Sequence, residues 1–153
     1  MAKQDRTPGL GAAEAEANRR IRTLFVEDDR SLAEMLVDFI QELGFQTTLT
    51  DQASKAISIL RKSKNEGQPI ELVVSDLGLR DGSGAGLRIA DAIRDEELAA
   101  YFILFSGNSS ITPDLTEEHG ISALVSKRDG LPALESALTE GRRVITGTPS
   151  QSA

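Results

Sequence analysis

The sequence predicts an open α/β sheet in which five strands alternate with five helices, and three observations carry that expectation. Short apolar runs alternate with amphipathic stretches through the body of the chain. Four of the runs, LFV, LVV, FILF and ALV, are apolar without alternation, as strands covered on both faces of a parallel sheet are. The 153 residues, 39% of them hydrophobic, are enough for one compact core and leave almost no room for a second folded domain.

The elements follow in order. Residues 1–20 are rich in Ala, Gly, Glu and Arg with no apolar stripe, and are expected to be a flexible extension with at most a short helical turn at 12–19. A first strand is expected at 23–26. Leu32, Met35, Leu36, Phe39, Ile40 and Leu43 then recur at helical spacing, with Ser31 placed to cap the helix and Gly44 to stop it. The second strand, 46–50, is polar enough to lie at a sheet edge. Ala53, Ala56, Ile57 and Leu60 mark the next helix, 72–75 the third strand, and Leu87, Ala90 and Ile93 the third helix. After a strand at 102–105, a stretch holding Pro113 and few apolar residues predicts only a short, lightly packed helix at 113–118. A fifth strand at 123–126 precedes a last helix marked by Leu134, Ala137 and Leu138, with Pro132 near its first turn. The folded body is thus expected over 21–143, and 144–153 is expected to be a flexible tail.

Composition narrows the chemistry. The formal net charge is −7 and the pI about 4.8, which disfavours a nonspecific grip on nucleic acid phosphates. With no cysteine, disulfides, zinc ribbons and thiol nucleophiles are excluded, and a single histidine disfavours a histidine-based metal site or hydrolase triad, so carboxylates are expected to carry any reaction. The longest apolar run, 98–105, falls far short of the roughly 20 residues a bilayer requires. The N-terminal stretch lacks the apolar core of a secretory signal, and a cytoplasmic location is expected.

In an open α/β sheet a ligand site lies beyond the carboxyl ends of the strands. There the first strand runs into Glu27, Asp28 and Asp29, three adjacent acids that suit either a hard cation or a solvated helix start. The third strand ends in Asp76, followed by LGLRDGSG, where the acid is a site carboxylate or a turn former. The fourth ends in Ser106 and Gly107, and the fifth in Lys127. Singly, that serine reads as a cap and that lysine as a solvated cation. Together, in consecutive sheet units at one end, the four signals are far more specific.

The combination FVEDD, LVVSD, LFSG and LVSK resembles the response-regulator receiver domain of two-component signalling, over residues 22–142. The resemblance implies a flavodoxin-like, doubly wound five-stranded parallel sheet of order 2-1-3-4-5. It implies that Asp76 accepts a phosphoryl group from the histidine of a sensor kinase or a phosphotransfer protein. Mg²⁺ would be held by Glu27, Asp28, Asp76 and the backbone carbonyl of Gly78. Lys127 would pair with the phosphoryl oxygens and Ser106 would hydrogen-bond to one of them after transfer. Asp29 would cap the first helix, and Gly107 would let the backbone approach the phosphoryl group. The implied function is a stand-alone signalling module or phosphate sink, acting through contacts with an unidentified protein and not itself an enzyme beyond self-phosphorylation and autodephosphorylation.

Several positions depart from the family pattern. Arg80 and Arg128 stand where prolines are usual, so a cis lysine-proline bond is excluded. Leu124 replaces a switching aromatic, and Gly78 and Asn108 occupy positions that tune autodephosphorylation. His119, the sole histidine, sits between Pro113 and a strand and reads as a surface residue instead of a phosphorelay histidine. Two alternatives stay open: an unphosphorylated docking domain of the same fold, and a small phosphatase of the haloacid-dehalogenase type. The second usually carries an acid two residues after its nucleophile, where this chain has Gly78.

Overall fold

In the computed structural model, which describes residues 19–107 and 113–147, five parallel strands form one sheet of order β2-β1-β3-β4-β5. The elements are β1 (Ile21–Val26), α1 (Arg30–Glu42), β2 (Phe45–Thr50), α2 (Ala53–Asn65), β3 (Leu72–Ser75), α3 (Ala85–Glu96), β4 (Tyr101–Ser106), α4 (Pro113–His119), β5 (Ala123–Ser126) and α5 (Gly130–Thr146). A single 3-10 turn, Lys127–Asp129, joins β5 to α5. The expected order and class are those observed. Asn108 and most of the expected N-terminal extension lie outside the described residues.

Strand periodicity divides the core in two. Leu24, Val26, Val73, Phe102 and Leu104 pack with α2, α3 and Leu115 of α4 on one face. Their neighbours Phe25, Leu72, Val74, Ile103, Phe105 and Val125 pack with α1 and α5 on the other. Because successive side chains alternate across the sheet, each central strand must be apolar throughout, which is why β1, β3 and β4 are buried along nearly their whole length.

The edges differ from the centre. β2 is half exposed, as its polar sequence suggests. β5 was expected to be covered on both faces, yet Leu124 is 42% exposed. The reason is topological: β5 is the other edge and has a strand neighbour on one side only. On α1, Met35 falls on the apolar stripe but is 51% exposed, and Ala33 takes the buried place beside Leu36 and Ile40. Among the described residues, the buried stripe is narrower than the spacing suggests, running through Ala33, Leu36 and Ile40.

Helix ends show local chemistry. Ser31 does not cap α1; Asp29 does, its carboxylate accepting from Leu32 N at 3.2 Å. Gly44 stops the helix at φ 97°, a conformation L side chains rarely adopt. The last helix starts at Gly130 and continues to Thr146, three residues into the stretch expected to be tail.

The entry of the chain is tied down as well. Arg19 Nη1 and Nη2 donate to the two carboxylate oxygens of Glu71 at 3.0 and 2.6 Å, and Arg22 N donates to the same group at 3.0 Å. Burial pushes the Glu71 carboxyl up, but the arginine bonds and charges outweigh burial and hold it below the ordinary value of 4.5. A depressed carboxyl stabilises the fold above its unfolded pKa and loses that contribution as the pH falls through the folded pKa. Glu71→Gln is therefore expected to cost about 1.5–3 kcal/mol at neutral pH, since a charged hydrogen bond is worth about that much. Urea midpoints of the two proteins are expected to converge below pH 4.5.

Candidate functional site

Parallel register builds the site. Val26 of β1 is opposite Ser75 of β3, so Glu27 and Asp76 leave the sheet side by side. Asp76 N still donates to Val26 O at 3.1 Å, and Glu27 N to Thr50 O at 3.0 Å, so both acids start from fixed backbone. On the far side, Ser106 of β4 is opposite Ser126 of β5, which brings Lys127 out beside them. The 3-10 turn that carries Lys127 is capped by Ser126, whose hydroxyl accepts from Arg128 N at 3.1 Å.

Four of the expected residues meet. Lys127 Nζ donates to Glu27 Oε1 at 3.1 Å and to Asp76 Oδ2 at 2.9 Å. The other oxygens are held by backbone: Asp76 Oδ1 accepts from Leu77 N at 2.7 Å, and Glu27 Oε2 from Asp29 N at 3.2 Å. Glu27, Asp28 and Asp76 each offer an oxygen within 4.8 Å of the others. Ser106 is buried at the end of β4. Gly78 follows in the loop after Asp76, and Gly107 is exposed with open space where a side chain would begin.

Burial pushes the Glu27 carboxyl above its ordinary value, more than the Lys127 bond and charge pull it down; Asp76 adds repulsion. For Lys127, burial acts to lower the ammonium pKa, but hydrogen bonds and charge from Asp76 and Glu27 outweigh it and raise the net value. Lys127 thus bonds two of the three carboxylates, and the three together form a cluster of hard oxygen donors. Such a donor set fits a small divalent cation, which is stabilised by one or two carboxylates and keeps several waters.

Some contacts around these residues carry no signature in the sequence. Gly86, in the first turn of α3, lies against the backbone at Asp76: a Cβ there would collide with the Asp76 carbonyl oxygen and come within 3.0 Å of Leu77 Cα. Its N–H donates to Leu77 O at 2.7 Å. Arg80, at a place where the family carries proline, bonds Asp51 Oδ2 at 3.0 Å. His119 is not a plain surface residue: it closes α4 with Nδ1 2.6 Å from Asp91 Oδ1 on α3, its side chain 18% exposed.

The family model described as the response regulator receiver domain matches residues 23–139. The chain belongs to this family. Membership sets aside the dehalogenase-type phosphatase, consistent with Gly78 in place of a second acid. Among curated proteins, the receiver domain is 34% identical over 64 residues to the Arabidopsis thaliana two-component response regulator ARR12, a match covering 42% of this chain and 10% of that protein. Among solved structures, it resembles the Thermotoga maritima response regulator TrrA, solved in complex with Mg²⁺ and BeF (TM-score 0.65, 24% identity, covering 79% of this chain and 98% of that one). It also resembles the receiver domain of Saccharomyces cerevisiae Ssk1, crystallised with the phosphotransfer protein Ypd1 (TM-score 0.67, 23% identity, covering 83% and 92%). Receiver domains are signalling domains of two-component systems and bind Mg²⁺ at an acidic pocket. No described helix is long and apolar enough to cross a membrane.

The departures from the family pattern have structural counterparts. The Lys127–Arg128 bond is trans, and the capped 3-10 turn shapes the segment in place of a proline. Leu124 lies at the exposed edge of β5, where it offers no aromatic ring to turn inward. Gly86→Ala is expected to destabilise the receiver domain by about 1–3 kcal/mol, as overpacking against backbone does, because the Asp76 carbonyl cannot move aside as a side-chain tip could. Urea unfolding of the variant beside the parent measures it.

Proposed function

We propose that Asp76 is the phosphoacceptor of a two-component pathway, with the phosphoryl group supplied by a sensor histidine kinase or a histidine phosphotransfer protein. The observation that carries the reading is the meeting of Asp76 Oδ2 with Lys127 Nζ at 2.9 Å inside a cluster of three carboxylates at the strand ends. A carboxylate oxygen of Asp76 attacks phosphorus, the P–O bond forms as the P–N bond of phosphohistidine breaks, and the electron pair stays on the imidazole nitrogen. The product is an aspartyl phosphate.

Glu27, Asp28, Asp76 and the Gly78 carbonyl would hold Mg²⁺, which when bound neutralises charge that builds between carboxylate and phosphoryl oxygens. The chain's own residues do the rest. Leu77 N holds Asp76 Oδ1 and leaves the second oxygen facing the cluster. Lys127, already aligned on that oxygen, pairs with the phosphoryl group, which adds strong acceptor oxygens to its reach. Ser106, buried at the end of β4, hydrogen-bonds to the new group and carries its arrival into β4, β5 and the segment between them. Output then runs through contacts with a partner protein in the cytoplasm, with no nucleic acid or membrane bound by the receiver domain.

Intact mass after incubation with acetyl phosphate and Mg²⁺ tests the reading. A gain of about 80 Da, one phosphoryl group, is expected for the parent and is expected to vanish with EDTA or in Asp76→Asn. Uptake by Asp76→Asn at the parent rate would refute the acceptor assignment, and no uptake by the parent would favour an unphosphorylated docking domain. Lys127→Ala is expected to keep measurable transfer while losing the change that transfer produces in the amide spectrum of β4 and β5; a full spectral response in that variant would remove its role.

A further inference from the structure

The loop from Asp76 to Gly84 has the makings of a floppy segment. It contains Gly78, Gly82 and Gly84 and no proline, so its backbone has many conformations to lose on ordering. Internally it is closed by a reciprocal pair, Leu79 N to Gly82 O at 2.9 Å and Gly82 N to Leu79 O at 3.0 Å. Yet the loop must hold Asp76 and the Gly78 carbonyl in one arrangement, and a side chain outside the acid cluster supplies the restraint.

Asp81 reaches out of the loop with both carboxylate oxygens. Oδ1 accepts from Ala53 N at 2.9 Å and Oδ2 from Ser54 N at 3.0 Å, the first two amides of α2. Gln52, at the local cap position of that helix, makes no side-chain capping bond. α2 is therefore capped by an acid from a different element, in the place where a negative charge meets the positive end of the helix dipole. Three further contacts brace the same stretch. Arg80 Nε bonds Asp51 Oδ2 at 3.0 Å, and its amide donates to Asp51 O at 3.4 Å. Arg88, from α3, donates to Asp81 O at 3.1 Å.

We propose that Asp81 is a positioning residue for phosphoryl acceptance: by capping α2 from within the acceptor loop, it fastens that loop to the β2–α2 junction and thereby fixes the backbone that presents Asp76 and the Gly78 carbonyl. The inference rests on the reading of Asp76 as the acceptor. Asp81 touches no reacting atom; it acts through the loop. Its bonds replace by tertiary contact the stiffness that a proline at position 80 would supply locally.

The test follows the initial rate of phosphorylation of the full chain by acetyl phosphate at saturating Mg²⁺, together with amide exchange at Ala53 and Ser54. Asp81→Ala is expected to lower the rate about tenfold, the scale on which small misplacements of reacting groups act, and to speed exchange at both amides. Asp81→Asn retains one acceptor oxygen and is expected to recover much of the rate. Glu96→Ala is the control: it removes both oxygens of the Arg61–Glu96 tie between α2 and α3, at 2.9 and 2.6 Å, away from the loop, and is expected to phosphorylate at the parent rate. All rates are read well below the melting temperature, where a lower global stability alone leaves the folded fraction, and so the rate, unchanged. Should Asp81→Ala not fold, Asp81→Asn carries the comparison, its rate expected to track exchange at Ala53 and Ser54. A folded variant whose two amides exchange faster while transfer keeps the parent rate would overturn the inference alone. A parent chain that takes up no phosphoryl group would overturn the acceptor reading and this inference with it.

Discussion

Everything at the site depends on the pairing of β1 with β3. That parallel register delivers Glu27 and Asp76 from neighbouring strand ends, where two carboxylates repel at a distance that water screens poorly. The fold tolerates the repulsion because Lys127 arrives from the opposite flank and bonds both. Remove that register and the carboxylate cluster does not form; keep it, and Lys127, delivered by the β4–β5 pairing, bonds two of its members.

The supporting structure divides into two kinds of restraint. Buried apolar faces set the sheet and its two helical layers, and these need only hydrophobic residues of suitable size at alternating positions. Polar restraints then aim individual groups. Leu77 N and Asp29 N each hold one carboxylate oxygen, Ser126 caps the turn that bears Lys127, and Asp81 caps α2 from the loop after Asp76. The first kind secures the fold, and the second turns a row of strand-end residues into a geometry.

The departures from the family pattern sit where such polar restraints take over. Arg80 and Arg128 forgo the fixed φ of proline, and each lies in a segment closed instead by hydrogen bonds: Arg80 through Asp51, Arg128 through the Ser126 hydroxyl. At β5 the exchange runs differently. Leu124 leaves an apolar side chain at an exposed sheet edge, and the neighbouring α3–α4 contact is bolted by His119 on Asp91.

By itself the sequence determined the class of fold, the number and order of strands and helices, and the four strand-end signals at Glu27–Asp28, Asp76, Ser106 and Lys127. These are local facts: periodicity reports which face of a strand or helix is buried, and an acid after an apolar run reports where a strand stops. Only the tertiary structure decided which residues outside the motifs hold them in place. Ser31 and Asp29 are both reasonable caps, and the bond to Leu32 N selected Asp29. Met35 fits the apolar stripe, yet in the folded domain it is half exposed while Ala33 is buried. Gly86, Asp81 and Glu71 carry no local signature, because their work is done on partners 9 to 52 residues away, and the chain must fold before those partners meet.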